Sequence, residues 1–102
     1  MKIKDIIVLK EVSDNLNNRK LFYDQKKAGI GDYFWDSLVA DIESLIIYGG
    51  LQHKSFGLRR MFAKRFPYAI YYEIKDDNAR IIAVLPMRSA PVWIKKKLKE
   101  RN

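Results

Sequence analysis

The stretch LRRMFAKRFPYAIYYEI at residues 58–74 decides the fold of this 102-residue chain. Charged and apolar residues alternate from Leu58 to Phe66, a pattern that predicts a strand. Pro67 interrupts that strand, because proline has no backbone N–H to donate to a ladder. From Tyr68 to Ile74 the residues are mainly aromatic or β-branched, which favours a second strand. We therefore predict two strands that meet at Pro67.

The segments on either side of this pair complete a sheet. Asp76-Asp77-Asn78 is typical of a turn, and the run from Arg80 to Leu85 predicts a further strand. The second half of the chain is therefore predicted to be an antiparallel meander. Near the N-terminus, the apolar run from Lys2 to Val12 is rich in β-branched residues and predicts a first strand that is buried on both faces.

Between the first strand and the meander, the sequence predicts two helices. Ser13 or Asp14 can accept hydrogen bonds from the free amides of a helix start, and this helix is expected to run to about Lys27. Gly29-Ile30-Gly31 then predicts a tight reversal, because both glycines tolerate positive φ. Asp32 is expected to cap the second helix.

The second helix carries a broad apolar stripe and is expected to end at Gly49-Gly50. Most of the stripe is expected to pack on the sheet, and part of it to form a docking surface for another chain. The centre of the stripe is formed by Phe34, Leu38, Ile42 and Leu45, and it is widened by Trp35, Val39 and Ile46.

The predicted order is β-α-α-β-β-β, which defines an α+β fold with a helical hairpin packed on an antiparallel sheet. The length fits a single domain over residues 1–102, because two domains of about 50 residues each would bury too little surface to be stable. The tail from Ala90 to Asn102 is predicted to be a short basic helix or tail, with Trp93 anchoring it to the domain.

The charge of the chain is placed unevenly. The formal net charge is +8; residues 1–50 hold 7 basic and 8 acidic side chains, whereas residues 51–102 hold 13 basic and 4 acidic ones. Such asymmetry indicates a negatively charged partner, although a solvated basic face without a partner is also compatible with it.

Composition excludes several kinds of site. The chain has no cysteine and one histidine, so disulfides and thiolate metal sites are excluded, and we expect no metal and no cofactor. His53 lies in a polar loop and is expected to be an exposed side chain without a catalytic role. The apolar runs are much shorter than the roughly 20 residues of a membrane helix, so we expect a cytoplasmic protein without a membrane partner.

The segment Lys64-Arg65-Phe66-Pro67-Tyr68-Ala69-Ile70-Tyr71-Tyr72 resembles the ParE/RelE superfamily of bacterial type II toxins, specifically its ParE-like branch. Further matches in family order are Tyr23, residues 29–34, and Ala83-Val84-Leu85 followed by Arg88, Pro91 and Trp93. One departure is Pro86, which stands where many relatives have a histidine after the last strand. The resemblance implies two antiparallel helices on an antiparallel sheet, in agreement with the predicted order.

The resemblance also implies a function. A ParE-like toxin would bind and inhibit DNA gyrase or a related topoisomerase, and a cognate antitoxin would neutralise it, with no small-molecule substrate. The alternative is a RelE-type endoribonuclease that cleaves mRNA on the ribosome without a metal. Ala69 weakens this reading, because it stands where such nucleases have an arginine. A third alternative is an inactive solitary relative, and the sequence leaves open whether the chain is an enzyme.

Two groups of residues are the candidates for binding, and no catalytic residue is assigned. For any single cation, a solvated charge or an internal salt bridge is an equally good interpretation; Arg88, for example, could pair with Asp36 or Asp41. The residues predicted to bind the target are Arg59, Arg60, Lys64, Arg65, Arg88 and Trp93. The residues predicted to bind the antitoxin are Trp35, Val39, Ile46, Arg60 and Phe62.

Overall fold

The computed structural model describes residues 3–51, 54–55, 57–88, 92 and 96 of the chain. The helices are α1 (Lys10–Lys26), α2 (Ile30–Glu43) and the single turn α3 (Leu45–Tyr48), which continues into a 3-10 turn at Gly49–Leu51. The strands are β1 (Asp5–Val8), β2 (Lys54–Ser55), β3 (Leu58–Phe62), β4 (Tyr68–Lys75) and β5 (Asn78–Pro86).

The described strands form one five-stranded sheet in the order β1-β5-β4-β3-β2. The meander of β3, β4 and β5 is antiparallel, as predicted, and the α+β class is confirmed. In contrast, β1 pairs with β5 in parallel, so the sheet is mixed rather than wholly antiparallel. A residue pattern shows that a strand exists but does not specify the direction of its neighbour, and β1 has no local turn that would fix its pairing.

The first strand lies at an edge of this sheet, not in its centre. Ile7 is 40% exposed and Val8 is 37% exposed, so the prediction of a strand buried on both faces was wrong. Only β5 lies beside β1 among the described strands. Ile6 packs partly against the core, and Ile6 and Val8 also line a groove at the surface beside α2.

The helix starts differ from the predicted ones. α1 begins at Lys10, and its N-cap residue Leu9 makes no side-chain cap bond. Asp14, one of the two predicted caps, instead forms a bond of 3.1 Å with the Lys10 ammonium group one turn earlier. Backbone carbonyls therefore start this helix, since Leu9 O accepts from Val12 and Ser13 N–H, and the predicted side-chain cap was wrong.

The reversal between α1 and α2 depends on two glycines. Gly29, with a φ of 90°, is the N-cap residue of α2, so Asp32 is not the cap. Gly31 N–H donates to Asp24 Oδ1 at 2.8 Å, and a Cβ at Gly31 would lie 2.4 Å from the Lys20 carbonyl oxygen. Only glycine allows the two helices to approach this closely, while Asp32 binds Lys20 across the hairpin at 3.2 Å.

The sheet has a hydrophobic cluster on each face. The helix-facing cluster includes the predicted centre of the α2 stripe, and all four of those residues are buried. The opposite cluster, called here the second face, is formed by Leu58, Ala69, Tyr71, Ile82, Ala83 and Leu85. An irregularity in the β4–β5 pairing lies between Tyr71 and Tyr72, which belong to different faces.

Three predictions concern residues that the structure does not describe. The predicted basic tail and Trp93 lie outside the described residues, apart from Val92 and Lys96, and so does His53. Within the described part of the chain, none of the helices is both long and apolar enough to cross a bilayer.

Candidate functional site

The loop between β3 and β4, residues 63–67, is held by hydrogen bonds. The strand was predicted to continue to Phe66, but it ends at Phe62, because Ala63 N–H donates to Tyr68 O and closes the loop. Lys64 N–H donates to Asp41 Oδ2 at 3.0 Å. Asp41 lies on α2 and is only 4% exposed, so a buried carboxylate attaches the loop to the helix layer.

Aromatic rings fix the other half of the loop. The Phe66 ring centroid lies 5.1 Å from that of Phe34, 5.4 Å from that of Tyr23 and 5.5 Å from that of Tyr33. Phe34 is fully buried and also contacts the Tyr68 ring. Because the backbone is anchored on both sides, the exposed side chains of Lys64 and Arg65 project from a fixed support.

Two further cations lie at the same end of the sheet. Met87 N–H donates to Pro67 O at 3.0 Å, which places Arg88 beside the loop. The Arg19 guanidinium lies 6.0 Å from the centroid of the Tyr68 ring, at the start of β4. We call this group the cationic end; its members are Arg19, Lys64, Arg65 and Arg88.

The cationic end is not neutralised internally. Among the described residues, none of its members has a carboxylate within ion-pair distance, so the predicted pairing of Arg88 with Asp36 or Asp41 is not formed. Other cations do have such partners: Arg80 lies 3.2 Å from Glu73, and Lys4 lies 3.8 Å from Asp77. Among the described residues, unpaired positive charge is thus gathered at this end of the sheet, where it can attract a negatively charged partner.

Two buried tyrosines of β4, Tyr68 at the cationic end and Tyr72 further along the strand, are held in their neutral form. Burial, and then the hydrogen bond with Tyr23, raise the pKa of Tyr68 to about 12, although the charge of Arg19 lowers it. Burial likewise raises the pKa of Tyr72 to about 12, against the lowering effect of Arg59, and its hydroxyl donates to Gly49 O. Since efficient general acids and bases have pKa values near the working pH, both groups suit structural roles.

The remaining predicted arginines lie apart from the cationic end. Arg59 is on the helix-facing side of β3, where its Nη1 donates to Gly50 O at 3.3 Å. Arg60 is on the opposite side, with its guanidinium 4.7 Å from the Phe62 ring centroid. Phe62 is 51% exposed, so Arg60 and Phe62 form a small surface patch on the second face.

The apolar residues of α2 line a groove on the helix layer. Trp35 and Val39 lie beside Ile6 and Val8 of β1 and Leu16 of α1, around a cavity of about 210 Å³. We call this cavity the α2 groove. Ile46 lies on α3, outside the lining of the groove, and is 48% exposed.

The residues predicted to bind the antitoxin are therefore divided between two faces of the sheet. Trp35 and Val39 belong to the α2 groove, whereas Arg60 and Phe62 lie across the sheet on the second face. The single surface expected from apolar α2 residues and strand arginines together is not formed by the described residues.

The sequence did not single out Asn15, Asn18 and Arg19, and Asp41 was considered only as a possible partner of Arg88. The three α1 residues recur at spacings of three and four, which places them on one helix face. That spacing was a usable signal, but only the packing of α1 beside β5 brings this face to the end of the sheet. Nothing in the sequence indicated that Asp41 would be buried against a loop 23 positions away.

The structure is similar to a solved one. No protein-family model matches the chain, and no curated protein matches it in sequence. A chain of the solved structure described as "Chromosomal ParDE TA system from P. aeruginosa" superimposes with a TM-score of 0.74. The similarity covers 82% of this chain and 96% of that one, at 11% sequence identity. The fold is thus shared with a protein of a ParDE system, and the prediction of a ParE-like fold is confirmed.

Proposed function

We propose that this chain is the toxin component of a bacterial type II toxin–antitoxin system. In this proposal it acts by binding and inhibiting a cytoplasmic protein target such as DNA gyrase, and a cognate antitoxin neutralises it. The observation that carries the proposal is the shared fold with a protein of the ParDE system over most of both chains. The following features of the surface support it independently of the fold.

The cationic end supports binding of a negatively charged target. Lys64 and Arg65 lie on a loop that Asp41 and Phe66 hold in place, so little backbone conformational entropy is lost when they bind. Unpaired positive charge also attracts and orients an acidic partner as it approaches. These residues, with Arg88, form the target-binding surface of the proposal.

The α2 groove supports binding of an apolar antitoxin segment. Its lining is mainly hydrophobic, with the Trp35 ring within 5.8 Å of the Lys20 ammonium group. An amphipathic helix places apolar side chains in such a groove and keeps its charged face outside. With a formal net charge of +8 on the toxin, an acidic antitoxin segment would gain electrostatic attraction as well.

The second face weighs against the alternative of a ribonuclease. Ala69 is 1% exposed and lies in a cluster of apolar side chains that includes Tyr71 and Leu85. A nuclease needs cations and a proton donor that converge on the scissile phosphate, and removing one such group costs about 3 kcal/mol. Neither Ala69 nor its neighbours in this cluster can supply a charge there.

The first experiment measures growth after induced expression. We expect the native chain to arrest growth and the triple variant Lys64→Glu, Arg65→Glu, Arg88→Glu to lose this effect. A matched control, Lys4→Glu with Lys54→Glu and Lys75→Glu, makes the same change in net charge towards the β4–β5 turn, away from the cationic end, and should still arrest growth. Equal loss in both variants would show that total charge, not this surface, is what matters.

Two assays then identify the kind of target. Purified protein should inhibit DNA supercoiling by gyrase, and the triple variant should not. New 5′ ends in translated messages, with supercoiling unaffected, would favour the endoribonuclease instead. No growth arrest and no effect in either assay would indicate an inactive relative.

Neutralisation is tested separately through the α2 groove. Co-expression with the small reading frame next to the gene should restore growth if that frame encodes the antitoxin. Trp35→Ala together with Val39→Asp should prevent this rescue while the toxin still arrests growth. Rescue that is unchanged in the double variant would contradict the assignment of the groove.

A further inference from the structure

A second pocket lies between α1 and the end of β5, beside the cationic end. It has a volume of about 280 Å³ and combines two kinds of lining. Asn15, Asn18 and Arg19 of α1 supply polar groups on one side. Leu16 and Val84, both buried, supply an aliphatic surface on the other.

Arg19 is the charged group of this pocket and has no carboxylate partner among the residues that the structure describes. The guanidinium lies over the face of the Tyr68 ring, which orients it without neutralising it. A guanidinium presents a planar fork of N–H donors that matches a carboxylate. The amides of Asn15 and Asn18, one turn apart, can donate further hydrogen bonds to the same anion.

We propose that this pocket binds an acidic side chain of a protein partner. The carboxylate would lie against Arg19 and the two asparagine amides, and the methylene groups of the side chain would lie on Leu16 and Val84. This inference rests on the proposed function to the extent that it assumes a protein partner. It assigns to that partner a specific anchoring contact on a helix that the sequence had not marked as a binding element.

The lining favours a protein carboxylate over a nucleic acid. Recognition of single-stranded nucleic acid relies on exposed aromatic rings on which bases stack. Among the residues that the structure describes, none of those lining this pocket is aromatic, and Tyr68 beneath Arg19 is only 4% exposed. An aliphatic surface next to a guanidinium is instead suited to a glutamate or aspartate within an apolar segment.

The probe is a blocked tetrapeptide, acetyl-Gly-Leu-Glu-Gly-amide, added to the full-length ¹⁵N-labelled protein. We expect saturable shifts of the Arg19 Nε–H signal and of the side-chain amide signals of Asn15 and Asn18. The same peptide with glutamine in place of glutamate should bind at least fivefold more weakly. Equal binding of the two peptides, shifts confined to other residues, or no shifts up to the solubility limit would each overturn the proposal.

Variants show whether Arg19 is the anchor. Arg19→Gln should weaken binding of the glutamate peptide at least fivefold, and Arg19→Lys should give an intermediate loss because it keeps the charge but not the fork. The control Lys75→Gln removes one positive charge at the other end of the sheet and should bind as the native chain does. Thermal unfolding of each variant checks that the fold is retained, which is expected because Arg19 is exposed.

Two further probes separate the sources of the anion. Inorganic phosphate and a short oligothymidylate are titrated against the same signals. Tighter binding of either at Arg19 than of the glutamate peptide would overturn the assignment to a protein carboxylate. Growth arrest is measured in parallel: native arrest with no peptide binding refutes this pocket alone, whereas peptide binding without arrest refutes the toxin function alone.

Discussion

The two ends of the sheet differ in whether their basic side chains form ion pairs within the chain. At the turn end, where β4 passes into β5 through Asp76 and Asp77, lysine and arginine side chains find acidic neighbours within the chain, as in the Arg80–Glu73 pair. At the cationic end, the four basic residues have no such neighbours among the described residues. At the turn end Lys4 and Arg80 are thus paired internally, whereas in our proposal the cations of the other end bind a partner.

Since no ion pairs stabilise the cationic end among the described residues, other interactions must hold its residues in place. Like charges that lie close together repel, so their positions have to be fixed by packing and by hydrogen bonds. The structure supplies both, through the aromatic cluster around Phe34 and Phe66 and through the buried Asp41 carboxylate. The predictions below test these two supports, and then the charges themselves.

The largest effect is expected for Phe34→Ala. Phe34 is fully buried and contacts Tyr23, Phe66 and Tyr68, so its removal should leave a cavity beneath the β3–β4 loop. We expect the free energy of unfolding to fall by about 3–5 kcal/mol. Chemical denaturation measures this change.

The matched control for that prediction is Phe62→Ala, at a ring that is half exposed on the second face. The control should cost well under half as much, because much of its ring is already in water. Equal losses in the two variants would mean that the aromatic cluster does not support the cationic end specifically.

A smaller effect is expected for Asp41→Ala. The change removes the acceptor of Lys64 N–H and leaves this donor without its partner, at a cost of about 1–3 kcal/mol. Asp41→Asn keeps a side-chain oxygen that can accept the bond and should recover most of the loss. Hydrogen exchange at the Lys64 amide is the local readout, and it should accelerate in the alanine variant. Unchanged exchange would show that Asp41 does not hold the loop.

How much of this arrangement could be predicted from sequence depends on the range of the interactions. The buried stripe of the second helix, the meander and the position of the glycine reversal follow from local periodicity and backbone preference, and they were predicted correctly. The predicted end of that helix at Gly49-Gly50 was wrong, because α2 ends at Glu43 and Leu45 and Ile46 lie on the separate turn α3. The parallel position of β1, the contact of Asp41 with Lys64 and the approach of Arg19 to Tyr68 join distant segments. Periodicity contains no information on such contacts.

The candidate surfaces show the same limit. Lys64, Arg65 and Arg88 were predicted together and do lie at one end of the sheet, because strand register brings the β3–β4 loop and the end of β5 together. Arg59 and Arg60 are adjacent in sequence but point to opposite faces, since side chains alternate along a strand. A cluster in sequence therefore became two separate surfaces in the fold.

The pH dependence of stability tests two tyrosines of β4, Tyr68 at the cationic end and Tyr72 further along the strand. In the unfolded chain a tyrosine has a pKa of about 10, whereas burial raises the pKa of Tyr68 and of Tyr72 to about 12. The folded state therefore keeps these protons to higher pH, and the stability that they contribute is present below about pH 10 and is lost as the pH rises towards 12. Denaturation at a series of alkaline pH values should show this decrease, and Tyr72→Phe should reduce it.

The charge of Arg19 affects the pKa of Tyr68 but not that of Tyr72, so it distinguishes the two tyrosines. Arg19 lowers the pKa of Tyr68, so Arg19→Gln should raise it further while leaving that of Tyr72 unchanged. The ¹³Cζ chemical shift of each ring, assigned from the Tyr68→Phe and Tyr72→Phe variants of ¹³C-tyrosine-labelled protein, follows each titration separately from the other four tyrosines. Titration of Tyr68 at the ordinary pH of a free tyrosine would contradict its burial beneath Arg19.

The smallest effects come from single exposed charges, and they test the comparison most directly. Lys4→Gln removes an exposed ion pair at the turn end and should lower the free energy of unfolding by about 0–1 kcal/mol. Arg65→Gln removes a cation that has no ion pair among the described residues and shares its end of the sheet with other cations, so it should leave stability unchanged or raise it by up to about 0.5 kcal/mol. Added salt screens attraction and repulsion alike, so the difference between the two variants should shrink between low and high ionic strength. Denaturation midpoints at both ionic strengths measure this difference. If Arg65→Gln cost as much as Lys4→Gln, Arg65 would have an internal role, and the positive charge at this end would serve the fold instead of a partner.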